Sequence, residues 1–166
     1  MSARPRRPDL VVAPGERLLA WAAATDGRVV GGTRDAFYLT DPGGGAPTRI
    51  AWEQVEAADW DGETGTLRVS EVGTWGAQRP EHQVILENSR RLLQLVRERV
   101  SASVVFQQHV PITGRRGLRV VARRAPGGAP GISWFYEYDA DIDPEDPDVR
   151  RLAADALAVA REQLGE

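Results

Sequence analysis

At 166 residues the chain is long enough for one domain, with or without an extension, to bury a working core without covalent staples. It has no cysteine, which excludes disulfides, thiolate metal sites and cysteine nucleophiles, and its formal net charge is -3. All 21 basic residues are arginine, and since lysine is missing from every kind of position alike, a GC-rich coding bias explains this better than selection for phosphate binding.

The N-terminal stretch "MSARPRRPDLVVAP" carries Arg4, Arg6 and Arg7 among prolines without periodicity, so residues 1–14 are expected to form a mobile or loosely docked tail. It contains no apolar run of signal-peptide length, and no segment of the chain approaches a membrane span, so a cytoplasmic protein is expected. From Glu16 onward, short apolar runs alternate with turn signals: "RLLAWAAAT", "RVVGGT", "RDAFYLT", "TRIAW", "VEAADW", "TLRVSEV" and "HQVILE". Seven strands of this length and spacing predict an antiparallel meander or barrel. Asp26-Gly27 predicts a two-residue hairpin and Asp61-Gly62 a similar or longer turn, because glycine accepts the positive φ these turns need.

A helix should follow from Asn88 or Ser89. Leu92, Leu93, Val96, Val100 and Val104 recur at three and four residues, and the helix is expected to run to about Gln108, although the β-branched run at 103–109 also suits a strand. Next come two strands around a Gly and Pro loop, forming a hairpin within 115–166. Pairing Ala122 with Trp134 sets Val121 against Phe135 and Arg119 against Glu137. A last helix is predicted over Pro147 to Leu164, since Asp146, Pro147 and Asp148 supply a cap, a first-turn proline and a first-turn acid in the right order. Its stripe Val149, Leu152, Ala153, Ala156, Val159, Ala160 and Leu164 is expected to dock on Ile132, Trp134, Tyr136 and Tyr138 of the hairpin.

The order of seven short strands and an amphipathic helix, with "ERLLAW", "GRVVGGTRDAFYLT", "RIAWEQVEAADWD" and "GTLRVS", resembles bacterial pleckstrin-homology-like or GRAM-like domains. It is also similar in wording to an uncharacterised actinobacterial family, which implies no activity. The resemblance covers roughly residues 15–108 and implies an α+β fold: a small antiparallel barrel plugged by a helix, followed by the hairpin and C-terminal helix. In such a barrel Trp52 and Trp21 belong to the core, Trp60 to a half-exposed wall, and Trp75, in a loop-like context, to the surface.

For chemistry the sequence offers little. His82 and His109 stand apart from any metal-ligand spacing, and the glycine clusters "DPGGGAP" and "APGGAPG" lack the residues of a phosphate loop. Asp139, Asp141 and Asp143 alternate as in a calcium loop, but Pro144 and Arg150 occupy the positions where that loop needs glycine and glutamate. No catalytic residue, cofactor or metal is therefore expected. The expected function is a non-catalytic binding module whose ligand is a protein partner, with self-association left open. The alternative is nucleic-acid or anionic-membrane binding through Arg115, Arg116, Arg119, Arg123 and Arg124, and a carboxylate enzyme ranks third. The expected interaction surface comprises Trp75 and those five arginines.

Overall fold

A computed structural model describes residues 8–73, 78–128 and 130–166. They fall into two compact units, one running to Ser103 and taking in Ala125–Gly128, the other made of Val104–Arg124 and 130–166.

The first unit carries the seven expected strands: β1 Ala20–Ala24, β2 Val29–Gly32, β3 Ala36–Leu39, β4 Thr48–Ala51, β5 Val55–Asp61, β6 Thr66–Glu71 and β7 Glu81–Glu87. They form one antiparallel sheet in the order β4-β3-β2-β1-β7-β6-β5, followed by helix α1, Arg90–Ser103. The resemblance implies a small barrel, but the sheet is not closed: no ladder joins β4 to β5 among the described residues. The chain leaves β4 through a 3₁₀ turn, Trp52–Gln54, which commits Trp52 and Val55 to the core at 0% exposure. The β1–β2 hairpin forms at Asp26-Gly27, with Gly27 at φ 89°, but Ala24 N–H donates to the Arg28 carbonyl, so the loop is one residue longer than expected.

Alternation decides what is buried. Ala20, Ala22 and Ala24 of β1 face inward with Phe37, Leu39, Leu67 and Val84, and Leu92 and Val96 of α1 close over them. The three alanines take the inward parity, so Trp21, expected in the core, lies on the other face and is only half-buried. Gly32 lets α1 come close: a Cβ there would stand 2.7 Å from the Leu95 side chain and 3.2 Å from the Trp52 ring.

The described part of the expected N-terminal tail is docked. Leu10 is 8% exposed against Ala36 and Tyr38, and Ala13 N–H donates to the Tyr38 hydroxyl at 2.9 Å. Glu16 anchors the segment. Its carboxylate accepts from Thr33 Oγ1 at 2.6 Å, from the Tyr38 hydroxyl at 2.6 Å and from Arg49 Nε at 2.9 Å. Burial pushes the Glu16 carboxyl up, but the hydrogen bonds from Arg49, Thr33 and Tyr38 outweigh it and hold the group below its ordinary 4.5. A group with a lowered folded pKa stabilises the fold above its unfolded pKa and loses that contribution as pH falls through the folded one. The stability difference between wild type and Glu16→Gln is therefore expected to hold steady above about pH 5.5 and to shrink below about pH 4.5. Denaturant titrations at stepped pH check this, and a difference that stays constant to about pH 3 would contradict it.

The second unit is a three-stranded antiparallel sheet, order β10-β9-β8, with β8 Val104–Thr113, β9 Arg116–Arg123, β10 Ser133–Tyr138 and helix α2 Pro147–Leu164. The expectation of helix to about Gln108 is thus corrected. Helix α1 stops at Ser103, whose hydroxyl donates back to the Val100 carbonyl, and the β-branched residues after it pair with β9. The expected two-stranded hairpin gains a third strand, and the division at 108–115 moves to Ser103 and Val104.

The β9–β10 register is the expected one, Ala122 opposite Trp134, Val121 opposite Phe135 and Arg119 opposite Glu137. Asp146 caps α2 by accepting from Asp148 N at 2.8 Å and Val149 N at 3.4 Å, and Gly165 closes it in the left-handed region. The helix docks on the aromatic face, burying Val149, Ala153 and Ala160 with Leu118 and Val120 against half-buried Trp134, Tyr136 and Tyr138. Its stripe is rotated from the expected one. Ala156 turns inward as expected and Leu157 joins it, whereas Leu152 and Val159 remain 37% and 48% exposed.

Candidate functional site

The arginines singled out in the sequence do not form a continuous basic face. Arg116 pairs with Asp141, and Arg119 with Glu137 at 3.2 Å. Arg123 is withdrawn from the surface at 4% exposure, which leaves Arg115 and Arg124 exposed. The reason is local: the strand register puts Glu137 opposite Arg119, and the acidic loop after β10 returns past Arg116. Trp75, with Arg4, Arg6 and Arg7, lies outside the described residues.

The alternating acids also go separate ways. Asp139 accepts from Gly117 N–H at 2.8 Å and meets His109 Nε2 at 3.1 Å. The Gly117 amide, and then His109, hold its carboxyl below the usual aspartate range. Asp141 goes to Arg116, while Asp143 accepts from Glu145 N–H at 2.9 Å. Among the described residues no group of three His, Cys, Asp or Glu side chains could hold a metal ion. His82, on β7, meets Glu71 of β6 at 2.7 Å. Both belong to the sheet, and neither borders the clefts described next.

Those clefts converge on Trp60. Strand β5 is the last strand of the sheet, hydrogen-bonded among the described residues to β6 on one side only, and its register shifts between Val55 and Ala57. After that irregularity Trp60 stands opposite Leu67 at the end of the strand, where Asp61 begins a turn by accepting from Glu63 N at 2.9 Å and Thr64 N at 3.4 Å. The backbone amide of Glu63, then Thr64, keeps the Asp61 carboxyl below the usual aspartate range. Trp60 is 37% exposed, in contrast to Trp52 at 0%.

Three hollows meet at this ring. One of about 140 Å³ runs between Ala58 and Leu67 of the sheet and Leu93, Val96 and Val100 of α1. A second, of about 630 Å³, opens along the helix past Ser89, Arg90 and Arg97. A third, of about 340 Å³, is polar and bordered by Asp59, Asp61, Arg68 and Gln83. The linings run in step. Ala58 borders only the hollow that reaches Val100, and Trp60 borders both helix-side hollows.

Arg90, Leu93 and Arg97 share one helix face by their three- and four-residue spacing. Neither arginine side chain makes an ion pair or hydrogen bond among the described residues. Glu98, the one acid bordering that hollow, accepts from Gln94 at 2.9 Å. Sequence reading placed Trp60 on a half-exposed wall but did not identify it as a site. The available signal was α1 itself, whose apolar stripe is wider than the core uses: Leu93 and Val100 are only half-buried.

Such an arrangement can take an apolar side chain beside an unpaired strand edge and hold charge at the helix rim. No family model, curated protein or solved structure matches the chain.

Proposed function

We propose that the chain is a non-catalytic binding module of pleckstrin-homology-like construction that holds a protein partner by receiving an extended segment along β5 and α1. The likeness to that fold is supported by seven antiparallel strands that begin and end the sheet at β4 and β5, and by a helix that follows them and touches β1, β2, β5 and the 3₁₀ turn. On this reading the sheet is a barrel left open between β4 and β5 with α1 at the opening. Fold alone fixes no ligand.

The observation that carries the function is Trp60: a half-exposed aromatic ring at the unpaired edge of a strand, flanked by an apolar hollow. An edge strand presents a row of N–H and C=O groups that an added strand can pair, and pockets beside it select the added side chains. Arginine-mediated nucleic-acid or membrane binding ranks behind, because Arg116 and Arg119 are paired with acids and Arg123 is buried. The reading places the protein in the cytoplasm, as a chain without cysteine permits. Among the described residues no helix is long and apolar enough to cross a membrane.

A displayed library of random peptides, panned on the full chain and mapped by amide hydrogen exchange, tests it. Selected peptides are expected to slow exchange at Ala57–Asp61. Trp60→Ala should weaken them about thirtyfold or more, since truncating an aromatic anchor at the centre of an interface costs ~2 kcal/mol or more. Binders that leave β5 unprotected and ignore Trp60→Ala would overturn the reading.

A further inference from the structure

We infer that the segment received at this site is acidic, with two carboxylates flanking one branched aliphatic side chain. The inference rests on the strand-addition reading above and adds the chemistry of the partner. Its first support is charge. The helix-side rim presents Arg90 and Arg97, both exposed and both without an ion pair among the described residues, while the single acid there, Glu98, is engaged by Gln94. Several arginines elsewhere in the chain are matched by acids, as at Arg49 with Glu16, Arg68 with Glu81, Arg119 with Glu137 and Arg151 with Asp148. A basic segment laid in the groove would meet two like charges, whereas an acidic one completes two pairs.

The second support is spacing. The two arginines stand seven positions apart on α1, about 10 Å along the axis at ~1.5 Å per residue. In an extended segment alternate residues share a face, and the first and fifth stand about 13 Å apart at ~3.3 Å per residue. The flexible arginine stems span the difference. The third residue of such a segment lies between the two acids on the same face, just as Leu93 lies between Arg90 and Arg97. It is therefore placed over the 140 Å³ hollow walled by Leu67, Leu93, Val96 and Val100, which has room for one branched aliphatic side chain. The pattern is acid, any residue, aliphatic, any residue, acid.

Fluorescence anisotropy with two labelled peptides, Ser-Asp-Thr-Ile-Thr-Glu-Ser and its counterpart with lysine at both acidic positions, tests this on the full chain. The acidic peptide is expected to bind about tenfold more tightly, since each exposed ion pair is worth a few-fold and the lysines add repulsion. The double variant Arg90→Glu with Arg97→Glu is expected to reverse the order. Both positions are exposed, and circular dichroism checks that the variant keeps its fold. Equal binding of the two peptides, lost together in Trp60→Ala, would overturn the acidic partner while leaving the groove in place. Failure of both peptides to bind, while library peptides without acids protect β5, would overturn it equally. Failure of every peptide to protect β5 would remove the underlying reading with it.

Discussion

Trp52→Ala is expected to destabilise the seven-stranded unit by about 3 to 5 kcal/mol, the cost of deleting a large aromatic side chain from a core that collapses only partly around the gap. Trp52 is fully buried, sits edge-on to Phe37 with ring centroids 6.2 Å apart, and donates its indole N–H to the Thr33 carbonyl at 3.0 Å. Alanine removes the ring, its aromatic contact and that hydrogen bond together, leaving a buried carbonyl with one partner fewer. Trp60→Ala deletes the same atoms from a site that is 37% exposed, so its stability cost should be smaller. Native-state amide exchange at Val30 and Leu67, both at 1% exposure or less, reads the unit directly. Protection there that is unchanged in Trp52→Ala would mean that the ring is not part of the core as described.

The two tryptophans also show what the sequence discloses and what it withholds. The seven strands before α1, the position of α2 and the β9–β10 register were all legible because each rests on local rules. Asp146, Pro147 and Asp148 announce a helix start in three consecutive residues, and strand alternation alone puts Arg119 opposite Glu137 once Ala122 is set against Trp134.

The end of α1 was not legible. "SASVVFQQ" fits a helical stripe and a strand equally well, and what decides is the distant β9, which offers Val104 and the residues after it a ladder. Trp21 was misplaced for a related reason. Alternation says that Trp21 and the alanines beside it face opposite ways, but not which way is inward, and here the small residues take the core because α1 lies close over β1. Leu10 looked like tail because proline and arginine surround it, whereas Tyr38 and Glu16, which hold the segment, act from outside that stretch. The Trp60 site is assembled from β5 and α1, more than thirty positions apart, and no spacing in one sequence brings Trp60 to Leu93. The arginines failed in the opposite sense. Their clustering was visible, but the acids that meet Arg116 and Arg119 reach them through the sheet and the following loop.

Gly117→Ala carries the second large effect, this time in the three-stranded unit. Gly117 lies opposite Pro111 beside an irregularity in the β8–β9 ladder, and a Cβ placed on it would stand 1.9 Å from the Val110 carbonyl oxygen and 2.8 Å from the Pro111 Cα. Both obstacles are backbone, so no rotamer change relieves them and the strands must separate locally. That separation also disturbs the Gly117 N–H, which donates to Asp139 at 2.8 Å, and the Gly117 carbonyl, which accepts from Asp139 N at 2.9 Å. The expected loss is about 3 kcal/mol, at the upper end of what inserted atoms cost in a close-packed site. Gly114→Ala is the control. Gly114 adopts φ 61°, a left-handed conformation that costs a side chain about 1 to 2 kcal/mol, but no atom lies within 4 Å of its added Cβ. Thermal unfolding together with amide exchange at Leu118 and Val120 should therefore rank the variants, with Gly117→Ala clearly the weaker. If Gly114→Ala proved equally damaging, backbone conformation and not the close approach of β8 to β9 would be what demands glycine at this end of the sheet.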